Sequence, residues 1–169
     1  MRVITRKPVI ALENDALQLI DKTLGASVSQ VFIVTYADKP DLIQDWTPLD
    51  PVSGLITPIE IKNWDNRRTV LYDGLEIALR HLAARTDPQK KVLIVIGEGN
   101  DYGSLARYSE VRTLAVKGNI QCFALLIANH NLMGGRVRHY GFNLCDLSSK
   151  TKGDCYDVEN SPKNCTNPW

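Results

Sequence analysis

Glu98, Asn100 and Asp101 lie in the run Gly97-Glu98-Gly99-Asn100-Asp101-Tyr102-Gly103-Ser104. Carboxylates and an amide spaced by glycines on one loop are hard oxygen donors. Such a loop can meet a divalent cation or a basic group on a partner. The same residue types also make polar turns that cap a following helix. Both readings stand for these three residues, with the helix from Ser104 as the one to be capped. Thr69 is a second candidate. Its hydroxyl suits the N-cap of the helix behind it, and a hydroxyl can also be a cation ligand. Asp73 reads as a first-turn carboxylate favoured by the helix dipole.

Three further groups are basic. Arg67 and Arg68 precede Thr69, and paired arginines either steer an acidic partner or simply face water. Arg136, Arg138 and His139 cluster in a segment with three glycines and form a partner-binding candidate. His81, His130 and His139 have no metal-ligand spacing. No Ser, Cys or Lys sits in a nucleophile motif. The pair Gly97 and Gly99 lacks the third glycine of a dinucleotide loop.

The acidic loop needs a strand behind it, and the sequence supplies one. Val92 to Ile96 is apolar at every position and β-branched at four of five. A strand with one wet face would alternate, so this one reads as buried on both faces, as in a parallel sheet. Open α/β sheets bind ligands at the carboxyl ends of their strands, where Glu98 to Asp101 falls. Gln30 to Tyr36 is a second strand without alternation. Leu42 to Thr47 follows after a turn at Asp38 to Asp41, and so short a link makes the pair antiparallel. Ile120 to Ala128 and Cys155 to Val158 complete the strands. Helices are predicted over Pro8 to Leu24, Leu71 to Ala84, Ser104 to Lys117 and Leu144 to Thr151. The third is expected to bury Leu105, Tyr108, Val111, Leu114 and Ala115. Pro48 to Trp64 carries Pro48, Pro51, Gly54 and Pro58 and reads as loop with a short piece near Ile59 to Lys62. Ser161-Pro162-Lys163 reads as a helix start that the chain does not complete. Strands alternating with helices make a doubly wound, mostly parallel Rossmann-like sheet.

The 169 residues are enough for a single domain with a sizeable core, at 44% hydrophobic and 23% charged. A net charge of +1 gives no bulk attraction to nucleic acid or anionic lipid. No apolar run reaches the ~18 residues of a membrane span. The basic N-terminus lacks a signal-peptide core; a longer native form would be open to export. Cys122 lies in a strand pattern and reads as a buried thiol. Cys145, Cys155 and Cys165 recur at ten-residue intervals and leave room for one disulfide without fixing its pairing.

Three stretches together resemble the von Willebrand factor A (VWA) domain, in its bacterial VWFA-related branch. Thr69-Val70-Leu71-Tyr72-Asp73-Gly74-Leu75 is similar to that family's Thr-x-Leu-Tyr-Asp-Ala-Leu helix start. Val92 to Asp101 is similar to its apolar strand and Ser-Asp-Gly-type loop. Leu147 to Val158, with Thr151, Gly153 and Tyr156, is similar to its last helix and strand. The resemblance implies a protein-interaction module rather than an enzyme. It also implies a metal-ion-dependent adhesion site in which Thr69 and Glu98 stand where the family has Thr and Asp. The family's Asp-x-Ser-x-Ser loop is absent, and Glu98 extends one methylene beyond Asp. The expectation is therefore Mg²⁺ or another divalent cation held weakly or not at all. The family's first strand, central in its sheet, is missing as well. The expected domain is 1–169, truncated at its N-terminus and in its last helix. The expected strand order is Leu42, Val31, gap, Val92, Ile120, Cys155. The alternative is an enzyme on a flavodoxin-like or hydrolase-like sheet, with Asp101 and Ser104 in the active loop.

Overall fold

The computed structural model describes residues 30–48, 69–86, 89–126 and 141–157. The helix expected over Pro8 to Leu24, the segment from Leu49 to Arg68 and the start at Ser161 lie outside them. The described elements run β1 (Gln30–Tyr36), β2 (Pro40–Pro48), α1 (Leu71–Ala83), β3 (Lys91–Gly97), α2 (Tyr108–Lys117), β4 (Ile120–Leu126), α3 (Phe142–Lys150) and β5 (Cys155–Asp157). They fall into two compact units, residues 30–33 with 42–48, and residues 34–41 with 69–157.

β1 and β2 pair with each other, and β3, β4 and β5 form a second sheet in that order. Three residues join β1 to β2, too few for anything but a hairpin. Pro40 opens β2, a position where a missing N–H costs no central ladder bond. In the first unit the Phe32 and Trp46 rings meet edge to face at 4.7 Å between centroids. β3 and β4 are parallel and in register from Lys91 opposite Ile120 to Gly97 opposite Leu126. β5 joins β4 in parallel, Cys155 opposite Ala124 and Asp157 opposite Leu126. Within each of the two sheets these pairings match the expected neighbours.

The core of the second unit follows from the apolar runs. Leu93 and Val95 are buried on β3, opposite the buried Cys122 and Ala124 of β4. α1 buries Leu71, Leu75, Ala78, Leu79 and Leu82, the i, i+4, i+7 stripe of an amphipathic helix. α2 adds Val111 and Ala115, and α3 adds Leu144 and Leu147. Each large side chain so buried contributes about 1.5–3 kcal/mol.

The end of α3 is tied to β4 through Thr151. Its hydroxyl donates to the Leu147 carbonyl at 2.8 Å and accepts the Cys122 amide at 3.0 Å. One hydroxyl thus satisfies a helix-end carbonyl and a strand donor. Gly153 then passes so close to β4 that a Cβ would run into the Cys122 carbonyl. Cys145 on α3 and Cys155 on β5 form a disulfide, and Cys122 is the buried free thiol the strand pattern predicts.

The largest departure from the expected boundaries is at the second helix. α2 begins at Tyr108, not Ser104, and Leu105 is 94% exposed rather than buried. The Glu110 carboxylate accepts the Arg107 amide at 2.7 Å, which starts the helix there. The backbone amides of Leu105 and Ala106 are committed elsewhere.

Candidate functional site

Those amides point at Asp73. Its carboxylate accepts the Leu105 amide at 2.9 Å and the Ala106 amide at 2.8 Å. A bond in the opposite direction closes the pair, because the Asp73 amide donates to the Ser104 hydroxyl at 3.1 Å. Ser104 donates in turn to the Asp101 carboxylate at 2.5 Å. Asp101 accepts the Tyr72 amide at 3.2 Å. The two orphan amides at the start of α1 are thereby satisfied by a loop about thirty residues downstream.

This corrects two expectations. Asp101 does not cap the helix that follows it; it caps α1. The N-cap position of α1 is Val70, with no side-chain bond of its own, so the Thr69 hydroxyl is not the cap. The Thr69 carbonyl accepts the Tyr102 amide at 2.8 Å instead. Asp73 is a first-turn carboxylate as predicted, and it also holds the loop. The signal that could have revealed this clasp was present as Asp73, Asp101 and Ser104, but its range in sequence is beyond local capping rules.

Glu98 and Asn100 follow β3 directly and are half-buried. Between them Gly99 has φ +75° and lies against the Gly141 backbone. Gly141 itself has φ +81° and packs on Leu126. Only glycine adopts both conformations at little cost and lets two backbones approach so closely. Next to Gly141, the Asn143 amide donates to the Tyr72 hydroxyl at 2.5 Å. Tyr72 and Tyr108 stand 6.0 Å apart between centroids, and the Tyr108 hydroxyl donates to Asp146 at 2.5 Å. Burial and the Asp146 bond hold the Tyr108 hydroxyl well above the usual phenol range. Arg112 approaches the same carboxylate at 3.8 Å. The starts of α1, α2 and α3 are thus cross-linked by polar side chains.

The segments whose polar groups bond to the start of α1 carry three exposed hydrophobic side chains: Tyr102 at 55%, Leu105 at 94% and Phe142 at 61%. The Tyr102 amide is held by the Thr69 carbonyl and the Leu105 amide by Asp73, and Phe142 adjoins Asn143, whose amide donates to Tyr72. The sequence pattern places Leu105 in the core and marks neither Tyr102 nor Phe142, so none of the three is visible as a surface group from sequence alone.

Of the predicted site residues, Thr69, Glu98, Asn100 and Asp101 fall at this end of β3. Arg67, Arg68, Arg136, Arg138 and His139 lie outside the described residues. Among the described residues no three His, Cys, Asp or Glu side chains converge as metal ligands. The nearby carboxylates, Asp73 and Asp101, already accept backbone amides. No helix among the described residues is long and apolar enough to cross a membrane.

No family model matches the chain, and no curated protein matches it by sequence. Solved structures do resemble it. An aerotolerance-related membrane protein from Bacteroides fragilis is 14% identical with a TM-score of 0.57, over 86% of this chain and 81% of that one. The conserved hypothetical protein BatB from Bacteroides thetaiotaomicron is 17% identical with a TM-score of 0.57, over 88% and 80%. The VWA domain of SpRpn10 is 14% identical with a TM-score of 0.57, over 86% and 73%. The fold is VWA-like, an α/β architecture with a parallel three-stranded sheet, as the resemblance in the sequence implied.

Proposed function

We propose that this chain is a protein-interaction module of VWA type that binds without a well-formed metal site. The contact face is the carboxyl end of β3 with the start of α1. The single observation that carries the reading is the clasp between Asp73 and residues 104–106. It spends the acidic groups nearest the loop on backbone amides and holds Leu105 out to solvent. With Tyr102 and Phe142, Leu105 offers the apolar anchors on which interfaces depend. Thr69 and Glu98 remain to hold Mg²⁺ or another divalent cation, and two side chains alone bind it weakly. Asn100 and Asp101 line the face, and Arg67, Arg68, Arg136, Arg138 and His139 extend the proposal to an acidic partner.

The enzymatic alternative with Asp101 and Ser104 is less favoured. The Ser104 oxygen accepts the Asp73 amide and its proton goes to Asp101. A hydroxyl so engaged is a poor nucleophile. The Cys145–Cys155 disulfide supports residence in an oxidising compartment.

The test is the pair Tyr102→Ser and Leu105→Asp in one chain. Both are surface changes, so unfolding stability should move by no more than ~0.5 kcal/mol each. Binding to a protein partner from the source organism should fall by at least ~10-fold. Undiminished binding by a folded double variant would refute this face.

A further inference from the structure

The first turns of α3 are tied to three neighbours. The Asn143 amide donates to the Tyr72 hydroxyl of α1, and Asp146 accepts the Tyr108 hydroxyl of α2. Between these two residues Cys145 is bridged to Cys155 on β5. The bond that opens the helix belongs to Cys145 itself, whose amide donates to the Gly141 carbonyl at 2.9 Å. Phe142, one of the apolar anchors of the proposed face, lies in this same stretch and is exposed.

The two ends of α3 are held differently. At the carboxyl end the Thr151 hydroxyl, the Gly153 amide and the close passage of Gly153 over Cys122 fix the chain without the bridge. At the amino end the disulfide is the covalent tie to the sheet. Without it, the buried Leu144 and the two side-chain bonds to α1 and α2 remain. Helix ends are where a chain opens first. The two sulfurs also differ in access. Cys145 is half-buried and Cys155 is buried, and exchange begins at the sulfur that a thiolate can reach.

We propose that the Cys145–Cys155 bridge is a redox control on the face around Leu105, opened from the Cys145 side by a dithiol reductant. This rests on the reading of that face as the contact surface. One thiolate of the reductant attacks the Cys145 sulfur, the bond to Cys155 breaks, and the Cys155 thiolate takes up a proton. The second thiolate attacks the reductant sulfur of the mixed disulfide and releases Cys145, which is protonated in turn. The reductant leaves as its own disulfide, and the chain has gained two electrons and two protons. The amino end of α3 then loosens, and Phe142 loses its fixed place.

The full chain is followed by NMR amide exchange, oxidised and after dithiothreitol. On reduction the Cys145 and Asp146 amides should exchange at least ~10-fold faster, while Thr151 and Gly153 keep their rates. Glutathione added to the native oxidised chain should be found by mass spectrometry on Cys145 and not on Cys155. A photo-crosslinking amino acid at Leu105 reports the face in extract of the source organism. Its protein adduct should fall at least ~5-fold in the chain carrying both Cys145→Ser and Cys155→Ser. Unchanged exchange at Cys145 and Asp146, or equally faster exchange at Thr151 and Gly153, would overturn the proposal. So would a bridge that glutathione attacks only at the rate of global unfolding. An adduct equally strong with and without the bridge would overturn the control and leave the face standing. No adduct in either chain would refute the face, and the control with it.

Discussion

The Asp73 carboxylate accepts the Ala106 amide at 2.8 Å across thirty-three positions of sequence. It joins the first turn of α1 to the loop that leaves β3, and it decides where α2 can start. A carboxylate holding two amides is worth more than a neutral bond, because one partner is ionised. Asp73→Ala should cost about 1.5–3 kcal/mol in urea unfolding. It should also speed exchange of the Leu105 and Ala106 amides while leaving Val95 protected. A stability loss without that local change would place the role of Asp73 elsewhere.

Thr151 should be nearly as sensitive. Its hydroxyl serves the Leu147 carbonyl and the Cys122 amide together. Thr151→Val keeps the shape and removes both bonds, leaving a strand amide without its partner. The expected loss is about 1–3 kcal/mol, against a smaller loss for Thr151→Ser. Equal stability of all three proteins in chemical denaturation would contradict the tie between α3 and β4.

Much of the fold was legible because its signals are local. Val92 to Ile96 and Ile120 to Leu126 announce strands by unbroken apolar runs, and Leu71 to Leu82 announces a helix by its spacing. The site was legible only in part. Periodicity put Leu105 on a buried helix face, but helix geometry is set by hydrogen bonds, and Asp73 takes the Leu105 and Ala106 amides. Local capping rules make Asp101 a cap for its own neighbours; the amide it satisfies, Tyr72, lies 29 positions earlier. The disulfide could not be chosen from spacing, since Cys145, Cys155 and Cys165 stand at equal intervals.

Alkaline pH should weaken the fold through Cys122. Burial pushes its thiol up to about 11, whereas an exposed thiol titrates near 8.5. The folded state therefore prefers the protonated form. The stability this contributes is fully present below pH ~8.5 and is lost as pH rises towards ~11, on the order of 3 kcal/mol in all. Comparing Cys122→Ala with the parent at pH 8 and pH 10.5 isolates the effect, because every other group titrates in both. Parallel losses in the two proteins would contradict it.

Reduction of the Cys145–Cys155 disulfide should destabilise without unfolding. It closes a short loop already held by Thr151 and by the Gly153 amide donating to the Ser148 carbonyl at 2.8 Å. The chain-entropy estimate for so small a loop is about 3 kcal/mol. A lower Tm in dithiothreitol with unchanged far-ultraviolet circular dichroism is expected at 25 °C. Complete loss of structure would mean that α3 and β5 depend on the bridge.

Metal should add little. Calorimetry with Mg²⁺ or Mn²⁺ should detect no binding tighter than about millimolar. Micromolar binding that disappears in Thr69→Ala would restore a working adhesion site.

The most direct measurement places a photo-crosslinking amino acid at Leu105 and, as control, at the exposed Val116 on α2. Each protein is irradiated in extract of the source organism, with and without EDTA. A metal-independent face gives one discrete protein adduct at Leu105 that is absent at Val116 and equally strong in EDTA. No adduct at Leu105, or an adduct abolished by EDTA, would contradict a metal-independent interaction face.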